Sequence, residues 1–146
     1  MKVISTKERK GLVMAYKIAL VLGAFHKKEA EKMLEEARKV AKENDLEVVK
    51  EVWVPGSMEK PLALKRLFKE GKIDGAVVLG VIERGETKHG FVMGQSVVSA
   101  IIQLQLEFMK PIGVGILGPE ILPDQIEPRL LPYAKGAVLA VKQMLD

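Results

Sequence analysis

The sequence predicts an α/β protein, a doubly wound three-layer α/β/α sandwich built on a four-stranded parallel sheet. Three observations carry that prediction. Four short apolar runs occur along the chain, each stops at Gly or Pro, and each is followed by a stretch with helical spacing of its apolar residues. Apolar strands alternating with helices require a parallel sheet covered on both faces and joined by right-handed crossovers.

The first run, residues 17–22 (KIALVL), ends at Gly23, and residues 29–44 then place Ala30, Met33, Leu34, Ala37, Val40 and Ala41 on one helical stripe. The second, residues 46–54, is rich in valine and stops at Pro55-Gly56. Behind it Pro61 suits a first helical turn and Gly71 a C-terminal stop. The third, residues 73–79 (IDGAVVL), is expected to end at Gly80. After a polar loop, residues 91–108 are apolar on nearly every side, as for a helix buried by its neighbours. Residues 111–117 (PIGVGIL) form the fourth strand, and residues 125–145 the last helix, with Pro128 and Pro132 breaking or kinking its first turns.

With 146 residues, one domain is expected over residues 16–146, behind a polar arm of residues 1–15. Apolar residues at 48% and charged residues at 29% exclude a disordered chain. The absence of cysteine excludes a disulfide framework and a cysteine-ligated metal, so a cytoplasmic protein is expected. The N-terminus carries charges through Lys10 with no apolar run behind them, and no segment is read as a membrane span. The net charge of +4 is spread among glutamates along the chain, which argues against a nucleic-acid partner.

Ligands of a doubly wound sheet bind beyond the carboxyl ends of the strands, where strand order reverses. Those ends are Gly23-Ala24-Phe25-His26, Val54 through Glu59, Gly80 through Gly90, and Gly118-Pro119-Glu120. The third loop lies before a helix N-terminus, whose free N–H groups favour phosphate, and the Thr87 hydroxyl could add a donor. His89 stands beside it with a side chain suited to proton transfer near neutral pH. The competing reading is a capping threonine and a surface histidine. Phe25 could stack on a flat heterocycle or staple the next helix. Glu59 could accept from ligand hydroxyls or favour the positive end of its helix. Arg129 could grip a phosphate or be a solvated charge.

Together, GAFH after strand one, VPGSMEKPLA after strand two, LGVIERGETKH after strand three and GILGP with a downstream Gln-to-Arg stretch resemble lumazine synthases, their archaeal branch above all. The resemblance covers residues 17–145. It implies the flavodoxin-like lumazine synthase fold. It also implies a transferase of riboflavin biosynthesis that condenses 5-amino-6-(D-ribitylamino)uracil with 3,4-dihydroxy-2-butanone 4-phosphate, without cofactor or metal. By the same resemblance Phe25 stacks on the pyrimidine, while Ser57, Met58, Glu59 and the backbone of Val81, Ile82 and Glu83 hold its ring edge and ribityl chain. Glu86 and Thr87 serve the phosphate, Arg129 pairs with it, and His89 is the general acid/base. Family sites lie between subunits, with a strand-four residue, here Val114, closing the next chain's pyrimidine pocket. The implied partner is therefore the chain itself, as a homopentamer or a sixty-subunit shell.

The sequence departs from common family patterns at Ala24, His26, Met58 and Val114, where Arg, Asn, Phe and an aromatic are frequent. Within the superfamily the alternative is an archaeal-type riboflavin synthase, against which Gly85-Glu86-Thr87 argues. A second alternative is a non-catalytic flavin-binding or cage-forming homologue. A generic flavodoxin-like phosphoacceptor would need an acidic pocket that these loops do not supply.

Overall fold

The structure, a computed structural model, describes residues 15–146; of the expected N-terminal arm only Ala15 falls within them. Four parallel strands form one sheet: β1 (Tyr16–Gly23), β2 (Leu46–Val54), β3 (Gly75–Glu83) and β4 (Ile112–Ile121), in the order β2-β1-β3-β4. The chain steps from β1 outward to β2, then crosses back to β3 and on to β4. Strand order thus reverses between β1 and β3. The connecting helices are α1 (Lys27–Glu43), α2 (Lys60–Glu70) and α3 (His89–Phe108), and α4 (Leu130–Leu145) closes the fold.

Alternation along β1 divides the interior into two layers. Ile18, Leu20 and Leu22 pack with Met33 and Leu34 of α1 and with Val138 and Val141 of α4. Ala19 and Val21 point the other way, onto Leu64 and Phe68 of α2 and Val97 and Ile101 of α3. The period of two in the central strand is why both faces need helices. This is the three-layer α/β/α sandwich with a four-stranded parallel sheet that the sequence predicts.

Helix ends follow local chemistry. Pro61 lies in the first turn of α2, where its missing N–H costs nothing, and Gly71 ends the helix in the left-handed region at φ 71°. The single last helix expected from residue 125 is instead divided. A one-turn helix (Pro123–Ile126) and a 3-10 turn (Glu127–Arg129) precede α4, so the chain breaks at Pro128 as expected, whereas Pro132 is accommodated in the first turn of α4.

Three expectations need correction. β3 does not end at Gly80 but pairs with β4 through Val81 and Glu83, and Val81 and Ile82 are buried. Gly80 is a mid-strand glycine kept small by a neighbour: a Cβ there would overlap the Nζ of Lys60. Helix α3 is covered on one side only. Gly94, Val97, Ile101 and Leu104 are buried, whereas Val92, Ile102 and Leu106 are exposed. By length and composition alone α3 would also pass for a membrane span, against the expectation that no segment does. In the fold its buried stripe lies against the sheet and α2.

Candidate active site

The reversal between β1 and β3 opens a crevice that no helix can fill, and there the structure has a cleft of about 590 Å³. Phe25 and His26 reach it from behind β1, and the turn after β2 supplies Gly56 through Lys60. The end of β3 supplies Val81 to Gly85, and the start of α3 supplies Thr87, His89, Gly90 and Met93. Nine of the residues singled out in the sequence line this one cleft: Phe25, Ser57, Met58, Glu59, Val81, Ile82, Glu83, Thr87 and His89.

Phe25 is 83% exposed, so it does not staple the following helix; its ring meets the edge of His26, with centroids 5.1 Å apart. A bare aromatic at a cleft mouth is free to stack on a planar ligand. His26 Nε2 lies 3.7 Å from Glu83 Oε2, linking the loop behind β1 to the end of β3. Ser57 is buried in the 3-10 turn before α2, and Met58 beside it is exposed. Glu59 Oε1 accepts from Gly56 N–H at 2.9 Å, which holds the tight turn and leaves its other oxygen for a ligand.

Where α3 meets the cleft, Thr87 Oγ1 accepts from His89 N–H at 3.3 Å. The hydroxyl therefore caps α3, and its own proton remains available for donation. His89 opens the helix as an exposed side chain on the cleft wall. The first N–H groups of a twenty-residue helix converge here, a place that suits an anion. Arg84 N–H donates to Ile121 O at 2.9 Å and its side chain meets Glu120 at 3.3 Å, so the loop is tied back to β4.

Three expected residues lie outside the cleft of their own chain. Glu86 is exposed beside it. Val114 stands opposite Val78, three residues short of Val81 along the strands, which is about 10 Å away from the cleft end. Arg129 is exposed in the 3-10 turn, where Nη1 donates to Gln125 O at 2.9 Å.

Lys60 and Met93 also line the cleft, although neither is singled out by sequence, and Lys60 is the chemically significant one. Lys60 is only 1% exposed and its Nζ donates to Ser57 Oγ at 3.1 Å. Burial pushes its amine down to about 8. A signal was present: Lys60, Leu64, Leu67 and Phe68 share the i, i+4, i+7, i+8 stripe by which α2 faces the sheet. Among the described residues no group of three His, Asp or Glu side chains could hold a metal ion.

Comparison with known proteins adds to this geometry. Residues 15–146 match the family profile described as 6,7-dimethyl-8-ribityllumazine synthase. A 6,7-dimethyl-8-ribityllumazine synthase of Methanoculleus marisnigri is 36% identical over 91% of this chain and 98% of its own length. Those of Picrophilus torridus and Metallosphaera sedula are 38% and 37% identical, each over 88% of this chain, covering 94% and 85% of their own lengths.

Proposed function

The chain belongs to the 6,7-dimethyl-8-ribityllumazine synthase family, and we propose that its strand-end cleft is where it carries out that transferase reaction, holding both reactants side by side. One observation carries the assignment. The bare Phe25 ring behind β1 and the Thr87–His89 start of α3 line the same cleft. A flat ribitylaminopyrimidine suits the first and a phosphate ester the second.

In this reading the pyrimidine of 5-amino-6-(D-ribitylamino)uracil stacks on Phe25. Ser57, Met58, Glu59 and the backbone of Val81, Ile82 and Glu83 hold its ring edge and ribityl hydroxyls. The phosphate of 3,4-dihydroxy-2-butanone 4-phosphate meets the N–H groups at the start of α3, the Thr87 hydroxyl and the backbone of Glu86, whose carboxylate faces away. The amine condenses with the ketone, phosphate leaves, and ring closure gives the lumazine. Holding the two reactants in attack geometry supplies much of the acceleration, because a bimolecular step becomes effectively unimolecular. His89, beside the phosphate, gives and takes the protons that each elimination requires.

The site is completed by a second copy. Val114 and Arg129 lie away from their own chain's cleft, β4 is an edge strand, and α3 leaves Val92, Ile102 and Leu106 exposed. An apolar face of that kind supports burial against another subunit. We assign Val114 to the neighbour's pyrimidine pocket and Arg129 to the shared phosphate, in a cytoplasmic homopentamer or sixty-subunit shell. Sedimentation distinguishes the two assemblies, and a monomer at micromolar concentration would exclude the shared site.

Incubation with both substrates, followed by lumazine fluorescence, tests the function. Formation of lumazine is expected. Consumption of lumazine with appearance of riboflavin would instead identify the paralogous synthase, and no turnover would identify a binding homologue.

A further inference from the structure

Building on the proposed function, we infer that Lys60 is a further substrate-binding residue, whose ammonium at the floor of the cleft donates to a carbonyl oxygen of the pyrimidine ring. The placement is specific. Nζ sits between the ends of β1 and β3: a Cβ on Gly80 would overlap it, and one on Gly23 would lie 3.4 Å from it. Two glycines thus leave room for one amine at the point where strand order reverses.

The amine is incompletely satisfied. An ammonium has three donors, and among the described residues the only side chain receiving one is Ser57, through Oγ. No carboxylate pairs with it among those residues. Each charged group around the cleft is turned to another task or lies at the rim. Glu59 accepts from Gly56 N–H, Glu83 faces His26, Arg84 meets Glu120, and His89 is exposed at the start of α3. A buried cation without a counter-ion is costly, and nothing in the packing of α2 requires one. Its stripe partners Leu64, Leu67 and Phe68 show that an apolar side chain would suit residue 60 equally well. What the fold lacks, a ligand oxygen supplies.

The oxygen belongs to the pyrimidine rather than to the phosphate. Lys60 is tied to Ser57, in the turn behind β2, and its Nζ lies against Gly23, two residues before Phe25, whereas the anion-binding N–H groups lie at the start of α3. A ring lying flat on Phe25 directs an edge, with its carbonyl oxygens, into the floor.

The test uses the full-length protein with Lys60→Met, which keeps length and removes the charge, and Lys60→Gln, which keeps a donor. KM for each substrate is measured, with calorimetric binding of the ribitylaminouracil alone. Lys60→Met is expected to weaken the pyrimidine roughly 10- to 100-fold while leaving KM for the ketone phosphate within about twofold, and Lys60→Gln to fall between it and wild type. Wild-type kcat/KM for the pyrimidine should fall as pH rises through about 8, where the amine loses its charge, and Lys60→Met should lack that limb. Unchanged pyrimidine binding in a folded variant, or equal losses for both substrates, would overturn the inference. Should wild type form no lumazine, the functional reading fails separately, and calorimetry with the pyrimidine still decides the role of Lys60.

Discussion

Replacing Lys60 by methionine should stabilise the fold at neutral pH. Burial lowers the amine from its ordinary 10.5 to about 8. At 1.36 kcal/mol per pH unit, keeping it protonated inside the folded chain costs about 3 kcal/mol. Because the folded chain holds this proton more weakly than the unfolded chain, the penalty is complete below about pH 8 and fades as pH rises towards 10.5. Methionine fills a similar volume without a charge, but it leaves Ser57 Oγ without its donor, which returns about 1 kcal/mol. The net gain at pH 7 is therefore on the order of 2 kcal/mol, or about 4–8 °C in melting temperature for a chain of this size. The assay is thermal melting of both proteins at pH 7 and pH 10, at one fixed protein concentration because assembly raises apparent stability. The advantage of methionine should shrink to less than half at the higher pH. A difference independent of pH, or a lower melting point at pH 7, would refute the reasoning.

Three further outcomes are expected. His89→Ala should lower kcat by roughly 10²-fold or more while leaving KM for the pyrimidine nearly unchanged, and steady-state kinetics across pH 5 to 9 should show one limb of the profile missing. Arg129→Ala should weaken the ketone phosphate by about 2–4 kcal/mol and spare the pyrimidine, a contrast that separate KM measurements would reveal. Phe25→Ala should weaken the pyrimidine by about 1–3 kcal/mol, and because the ring is 83% exposed its melting temperature should stay within a degree or two of wild type.

What could be read from the sequence, and what could not, follows from the range of the interactions involved. β2 falls on residues 46–54 as expected because its end is local, a Pro-Gly pair that stops the strand. β3 overruns its expected end because Gly80 looks locally like a stop, whereas the glycine answers to a lysine twenty positions earlier. Helix α3 was expected to be buried on all sides because composition reports how apolar a helix is and not which molecule covers it. The residues lining the cleft could be found at strand ends, where the fold class itself directs attention. Val114 and Arg129 do not follow from the same rule: one stands in a strand interior and the other in a turn, and neither lines the cleft of its own chain. Lys60 carries conflicting signals, a charge that ordinarily meets solvent at a helix start and a spacing to Leu64 and Leu67 that puts it on the inward stripe.

The closeness of Gly80 to Lys60 also constrains the order in which this protein can change. A methyl group at position 80 and an amine at position 60 claim the same volume, so neither site can drift without regard to the other. Gly80→Ala made first must displace the end of a buried side chain and also hold a non-glycine residue at φ 156°, so it carries both costs at once. Made after residue 60 has been shortened to alanine, the same change escapes that overlap and keeps only the backbone strain of a non-glycine residue at φ 156°. The viable route runs through position 60, and a double-mutant cycle on the two residues would measure how firmly the second step waits on the first.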